Sequence, residues 1–257
     1  MGQTEGNDRR IALVTGASSG IGAATVRALA GAGFHTVAAA RRTERCRELA
    51  AEVGGDALEL DVTDPVSTAA LAEGLPDVAV VVHSAGGALG LEPVAEADES
   101  KWLEMFETNV LGVERVTKAL LPALERGGGG HIVVIGSVAG VEVYPGGAGY
   151  TAAKHAVNAL CRTLRLELLG KPIRVTEIAP GLVETEFSMV RFEGDEEKAG
   201  KVYEGLTPLS AEDVAETVAF CITRPAHVNI DYLAVKPTAQ ATARDVHRST
   251  AARANRS

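Results

Sequence analysis

The chain has 257 residues, of which 46% are hydrophobic, and its 25 basic and 34 acidic side chains leave a net charge of −9. That apolar content excludes a wholly disordered chain, and α/β units of this length commonly form one domain. The acidic balance lacks the basic footprint of a nucleic-acid binder, so no nucleic-acid partner is expected. Cys46, Cys161 and Cys221 lie far apart, with no Cys-x-x-Cys and no histidine at ligand spacing, which predicts neither a disulfide framework nor a metal site. No run of 18 apolar residues is present, and the polar start MGQTEGNDRR has no apolar signal region. These exclusions leave a soluble cytoplasmic protein as the expectation, with no membrane partner.

In chain order, short β-branched runs alternate with longer helical patterns. Strands are predicted at 11–15, 35–40, 57–61, 77–83, 131–136, 173–178 and 228–235. Helices are predicted at 21–30, 43–53, 64–74, 99–124, 150–169 and 211–223, with Pro65 suited to a first turn. Strands that are apolar throughout, each followed by a helix, predict a parallel sheet covered on both faces. Right-handed crossovers then give a single-domain, Rossmann-type doubly wound α/β fold of about seven strands. The reading takes residues 1–240 as one dinucleotide-binding and catalytic domain, with a charged, glycine-containing substrate lid around 182–208. Residues 241–257, with four Arg and one Asp, read as a flexible or subunit-bridging tail.

The first predicted strand runs into Thr15-Gly16-Ala17-Ser18-Ser19-Gly20-Ile21-Gly22, and a helix follows. Glycines let backbone approach a pyrophosphate closely, and a helix N-terminus presents free N–H groups and positive potential. The spacing is G-x-x-x-G-x-G, distinct from the general G-x-G-x-x-G fingerprint. The ribose is read at the end of the second strand, where an acid selects a 2′-hydroxyl and an arginine accommodates a 2′-phosphate. Here that strand ends in Arg41-Arg42 with no acid, which predicts NADP(H). Asp61-Val62, after the third strand, is placed to meet the adenine.

Ser137 follows the fifth strand, and Tyr150 and Lys154 stand four apart on one helical face. A phenol titrates near ~10; an adjacent ammonium and an oxidised nicotinamide would stabilise the phenolate, so that Tyr150 exchanges a proton near neutral pH. Ser137, at a strand's carboxyl end, is placed to hydrogen-bond the substrate oxygen.

These pieces together resemble the short-chain dehydrogenase/reductase family over about residues 10–238. The resemblance rests on the T-G-A-S-S-G-I-G turn, Asp61-Val62, Asn109 in Thr108-Asn109-Val110-Leu111-Gly112, Ser137 with Tyr150-x-x-x-Lys154, and Pro180-Gly181 with Thr185. It implies that Tyr150 is the proton donor and acceptor, that Lys154 binds the nicotinamide ribose and lowers the Tyr150 pKa, and that Ser137 positions the reacting oxygen. It further implies that Asn109 holds a relay water and that Thr185 bonds the carboxamide. The cofactor surface so implied comprises Gly16, Ser18, Ser19, Gly20, Ile21, Gly22, Arg41, Arg42, Asp61, Val62, Ser84, Ala85, Gly86, Asn109, Tyr150, Lys154, Pro180, Gly181, Val183 and Thr185. A homotetramer is also implied. One departure is His83-Ser84-Ala85-Gly86 where the family has Asn-Asn-Ala-Gly; His83 reads as a structural replacement rather than a base or a ligand.

A finer resemblance, carried by 87–93, 180–195, 225–230 and 236–240, is to the bacterial NADP-dependent 3-hydroxy acid dehydrogenases, including those acting on serine and allo-threonine. In that case Arg191 or Lys201 in the lid would pair with a substrate carboxylate, since an arginine fork matches a carboxylate in bidentate fashion. The substrate contacts expected are therefore Ser137, Tyr150 and Arg191. Competing readings are a broad carbonyl or 3-ketoacyl reductase of the same family and a non-catalytic NADPH-sensing protein. The complete Asn109, Ser137, Tyr150 and Lys154 set favours catalysis over the sensor, and the missing glycine-rich ending counts against the ketoacyl enzyme.

Overall fold

The computed structural model describes residues 10–75 and 77–249. Seven parallel strands form one sheet in the order β3-β2-β1-β4-β5-β6-β7. They are β1 (Ile11–Thr15), β2 (His35–Ala40), β3 (Asp56–Glu59), β4 (Val80–His83), β5 (Gly130–Ile135), β6 (Ile173–Pro180) and β7 (Tyr232–Val235). This is the doubly wound α/β sheet expected from the alternating pattern.

Successive strand residues serve opposite faces. Leu13 of β1 and Val81 of β4 face one core with Val37, Val116, Leu120 and Val157. Their neighbours Ala12, Val14, Val80 and Val82 face the other core with Val26, Leu29, Val214 and Val218. Full burial of each such Leu or Val contributes on the order of 1.5–3 kcal/mol. The second core is covered by α1 (Gly20–Gly31), α2 (Thr43–Val53) and α10 (Ala211–Ile222). Helix α10 begins at a reciprocal capping box between Ser210 and Asp213. The first core is covered by α3 (Pro65–Ala69), α4 (Leu71–Gly74), α6 (Gly112–Arg126) and α7 (Ala148–Glu167). Helix α6 buries Val113, Val116, Thr117, Leu120 and Leu124, the spacing of one helical stripe.

The helix predicted over 64–74 is two short helices, α3 and α4, and the strand predicted from 77 starts at Val80. Three further differences each have a visible local reason. The strand predicted from 228 starts only at Tyr232, because the Asn229 side chain accepts from Val175 N (3.1 Å) and takes the place of a ladder carbonyl. Strand β3 stops at Glu59, and the chain then turns as Asp61 accepts from the backbone and hydroxyl of Thr63. The helix predicted over 99–124 is interrupted between α5 (Glu99–Phe106) and α6 by a wider π-helical turn at Glu107–Leu111. Asn109 causes the interruption: its amide donates to Met105 O (2.7 Å), four residues back, and to Gly87 O (2.9 Å).

The lid region holds two short helices, α8 (Phe187–Arg191) and α9 (Glu196–Lys201). Residues 241–249, expected as a tail, fold back on this chain instead. His247 N donates to Ala239 O (2.8 Å), Arg248 to Val202 O (3.1 Å), and Lys236 Nζ to Ala241 O (2.6 Å). The remainder of that segment, 250–257, lies outside the described residues. Among the described residues, no helix is long and apolar enough to cross a membrane.

Candidate active site

β1 and β4 are neighbours in the sheet although far apart in sequence, and their ends pair Thr15 with His83. The crossovers diverge between them, so a crevice opens at their carboxyl ends. Thr15 Oγ1 accepts from Ser84 N and Ala85 N (3.2 Å each), tying the two loops that leave the sheet. Gly16 has φ +66°, and a Cβ there would sit 2.7 Å from Ala85 N, so the close approach of the two loops requires glycine. Gly16→Ala is expected to lower stability by ~2 kcal/mol, read as a reduced urea midpoint.

The crevice is a cleft of about 760 Å³. Its walls carry Gly16, Ser18, Ser19, Gly20, Ile21, Gly22, Arg41, Arg42, Asp61, Val62, Ser84, Ala85, Gly86, Pro180, Gly181, Val183 and Thr185. Ser137, Tyr150, Lys154 and Arg191 line the same space. Asn109 is buried behind the wall, where its amide clamps Gly87 and fixes the loop after β4. Lys201, the other candidate for a substrate anion, is exposed and paired with Glu197 (2.6 Å).

Tyr150 and Lys154 lie one turn apart on α7, both buried and facing the cleft. Lys154 Nζ donates to Ile135 O (3.0 Å), which holds the ammonium beside the end of β5. Burial lowers its pKa to about 8, while the Glu177 carboxylate pulls it upward. Glu177 is fully buried on β6, and Asn158 donates to it at 2.7 Å. Sequence reasoning missed this carboxylate, because a single Glu in an apolar strand carries no local mark of burial. Burial pushes the Tyr150 hydroxyl above its ordinary range; a Ser137 hydrogen bond and the Arg191 guanidinium pull it back. Desolvation outweighs both, and the groups that lower the phenol are Ser137 and Arg191 rather than the expected Lys154. The Phe187 ring meets the Tyr150 ring edge-on, 5.6 Å between centres.

Arg191 reaches into the cleft from α8. Its guanidinium lies 5.7 Å from the Tyr150 ring centre and 5.5 Å from that of Tyr144. It donates to Gly90 O (3.2 Å) and Tyr144 Oη (3.0 Å), which clasps the lid to the loop after β4. Ala243, Arg244, Val246 and Arg248 from the folded-back segment also line the cleft. No periodicity in the sequence marks them.

At the far end, Arg42 donates to Ser18 Oγ (3.1 Å) and Ser19 Oγ (2.8 Å). Arg41 lines the cleft; against the upward push of burial, hydrogen bonds from Thr63, and after them the Arg41 charge, hold the Asp61 carboxyl below its ordinary value.

His83 is buried, and its Nε2 lies 3.0 Å from Thr117 Oγ1 on α6, joining β4 to that helix. Desolvation holds its pKa at about 3, and that of buried His131 likewise at about 3. A folded pKa below the ordinary 6.5 means stability present above 6.5 that is lost as pH falls toward 3. Each histidine is expected to remove about 1.4 kcal/mol per pH unit in that window. Urea unfolding between pH 6 and 4 measures this slope, and His83→Asn should make it shallower by about one histidine's share. Among the described residues no cluster of His, Cys, Asp or Glu is arranged to hold a metal, and the three cysteines are buried and free.

Residues 10–196 match the family model for short chain dehydrogenases. An uncharacterized oxidoreductase of Mycobacterium tuberculosis is 59% identical over 240 residues, covering 93% of this chain and 96% of the relative. Sulfoacetaldehyde reductase 2 of Chromohalobacter salexigens is 43% identical over 240 residues, covering 90% and 95%. The NADP-dependent 3-hydroxy acid dehydrogenase of Salmonella typhimurium is 44% identical over 247 residues, covering 93% and 100%. Among solved structures, the closed form of a serine dehydrogenase complexed with NADP+ superposes with a TM-score of 0.88 at 41% identity, covering 93% of this chain and all of that one. With a family model over residues 10–196 and a relative 59% identical over 93% of its length, the chain belongs to the short-chain dehydrogenase family of oxidoreductases.

Proposed function

We propose that this enzyme uses NADP(H) to interconvert a hydroxyl and a carbonyl on a small 3-hydroxy acid, serine or allo-threonine being the type of substrate. The observation that carries the reading is Arg191, a guanidinium 5.7 Å from the Tyr150 ring in the same cleft. It offers a carboxylate a partner beside the reacting hydroxyl.

The residues present fit a phosphorylated dinucleotide. Gly16 is a position no side chain can occupy beside Ala85, so the backbone is open to a pyrophosphate. The cleft volume falls within the range of ligand pockets, roughly 300–1,000 Å³. Arg41 and Arg42, with Ser18 and Ser19, would hold a 2′-phosphate; Asp61 and Val62 the adenine; Lys154 the nicotinamide ribose; Thr185 the carboxamide. Bound NADP(H) supplies the hydride donor or acceptor.

The chain's own groups do the rest. Ser137 Oγ hydrogen-bonds the substrate oxygen and aligns it with Tyr150 Oη. In the oxidising direction Tyr150 Oη takes the hydroxyl proton, and in the reducing direction it returns one. The Lys154 ammonium, anchored on Ile135 O, stabilises the phenolate. Arg191 holds the carboxylate, and Phe187 and Tyr144 exclude water from the reacting centre. Asn109, from behind the wall, fixes the loop after β4 through Gly87. Exposed Leu103 and Phe106 on α5 and Leu166 on α7 support assembly with further copies of the chain, which we read as a homotetramer.

The test is absorbance at the nicotinamide band with NADP or NAD and L-serine, D-threonine, L-allo-threonine or 3-hydroxypropionate, and the reverse reaction with simple aldehydes. Turnover with NADP and a 3-hydroxy acid is expected. Turnover with uncharged carbonyls alone would leave the broad carbonyl reductase as the function. A short aldehyde bearing a sulfonate is a second reading that Arg191 supports equally, since its fork accepts either anion.

A further inference from the structure

Arg42 is not free to receive a phosphate. Besides its bonds to Ser18 and Ser19, its third nitrogen donates to Glu186 Oε2 (2.9 Å). Arg45, one turn further on, donates to the other oxygen, Glu186 Oε1 (2.8 Å). One carboxylate thus bridges two guanidinium groups at the mouth of the cofactor cleft. It comes from 144 residues away in the chain. Glu186 lies between Thr185 and Phe187, and Arg191 is five residues on, so the carboxylate ties the lid's first helix to the glycine turn.

We propose that Glu186 is a specificity-determining residue that occupies the 2′-phosphate subsite with its own carboxylate, competes with the phosphate for Arg42 and Arg45, and so couples the choice of dinucleotide to the position of the lid. This rests on reading Arg42 with Ser18 and Ser19 as that subsite. The chemistry is a like-for-like exchange: a carboxylate and a phosphate are both planar-edged anions for an arginine fork, and the second carries more charge. Both arginines hold the Glu186 carboxyl down to about 2, so it is ionised wherever the enzyme works. The three side chains are about half exposed, so the latch is weak and displaceable. A weak latch is what exchange requires. When the phosphate takes the arginines, Glu186 is released, and Phe187 and Arg191 move with it toward the substrate. A dinucleotide without the phosphate leaves the latch closed.

The test compares adenosine 2′,5′-bisphosphate with AMP, which differ only in the 2′-phosphate, by calorimetry on wild type and Glu186→Gln. Wild type is expected to prefer the bisphosphate. The variant should bind the bisphosphate roughly threefold to tenfold more tightly, with AMP unchanged within twofold. Trp102, the single tryptophan, lies at a small cavity with Arg191 and reports the lid. Its emission should respond to the bisphosphate but not to AMP in wild type, and should be shifted before any addition in the variant. Unchanged or weaker bisphosphate binding by Glu186→Gln, in a wild type that prefers the bisphosphate, overturns the inference alone and leaves Glu186 a structural tie. A wild type with no preference overturns the subsite reading and this inference with it. Matched thermal unfolding of the two proteins excludes a folding defect as the cause.

Discussion

Tyr150→Phe is expected to lower kcat for the preferred 3-hydroxy acid roughly 10³-fold, within the range that a positioned acid–base group supplies. The phenol is buried against Phe187 and hydrogen-bonded with Ser137, which places it as the acid and base of the cleft. KM for the dinucleotide should stay within a few-fold, because the ring remains and Lys154 keeps its bond to Ile135 O. Single-turnover and steady-state rates measure the loss. A variant within tenfold of wild type would remove Tyr150 from the chemistry.

The second large effect concerns Arg191. Arg191→Ala is expected to reduce kcat/KM for serine or 3-hydroxypropionate by about 10²-fold, the scale of a lost charge-assisted pair. Arg191 also clasps Gly90 and Tyr144, so a loss of activity by itself would not separate recognition from lid closure. An uncharged carbonyl substrate makes the separation. If Arg191 binds the carboxylate, reduction of the uncharged compound is spared within a few-fold; if it only closes the lid, both substrates lose equally. A pH effect accompanies the first. Arg191 pulls the Tyr150 pKa down, so its removal raises that pKa. The rise of the oxidation rate with pH, which follows phenolate formation, then moves to higher pH.

Much of the fold was legible because each strand is a run of small or β-branched residues and each crossover helix carries an apolar stripe. β1, β2 and α2 fall where the pattern puts them. At three places where the reading slipped, a side chain had replaced a backbone partner: Asn229 shortened β7, Asp61 ended β3, and Asn109 widened the helix between α5 and α6. Such substitutions depend on a partner distant in the chain, as for Asn229, or on a short polar side chain bonding nearby backbone, as for Asp61 and Asn109, and periodicity is blind to both.

The candidate site divides along the same line. The sequence by itself determined the parallel doubly wound sheet, the glycine turn and the i,i+4 pairing of Tyr150 with Lys154, because these follow from strand and helix periods and from the one residue type that tolerates φ +66° at Gly16. Only the tertiary structure decided that Lys201 turns to Glu197 while Arg191 turns to Tyr150, that burial raises the pKa of the phenol Lys154 was expected to lower, that Glu186 sits between Arg42 and Arg45, and that residues 243–248 close the cleft wall. The reason is physical: a side chain's charge state, direction and partners are set by groups up to 144 positions away, brought near by packing rather than by spacing.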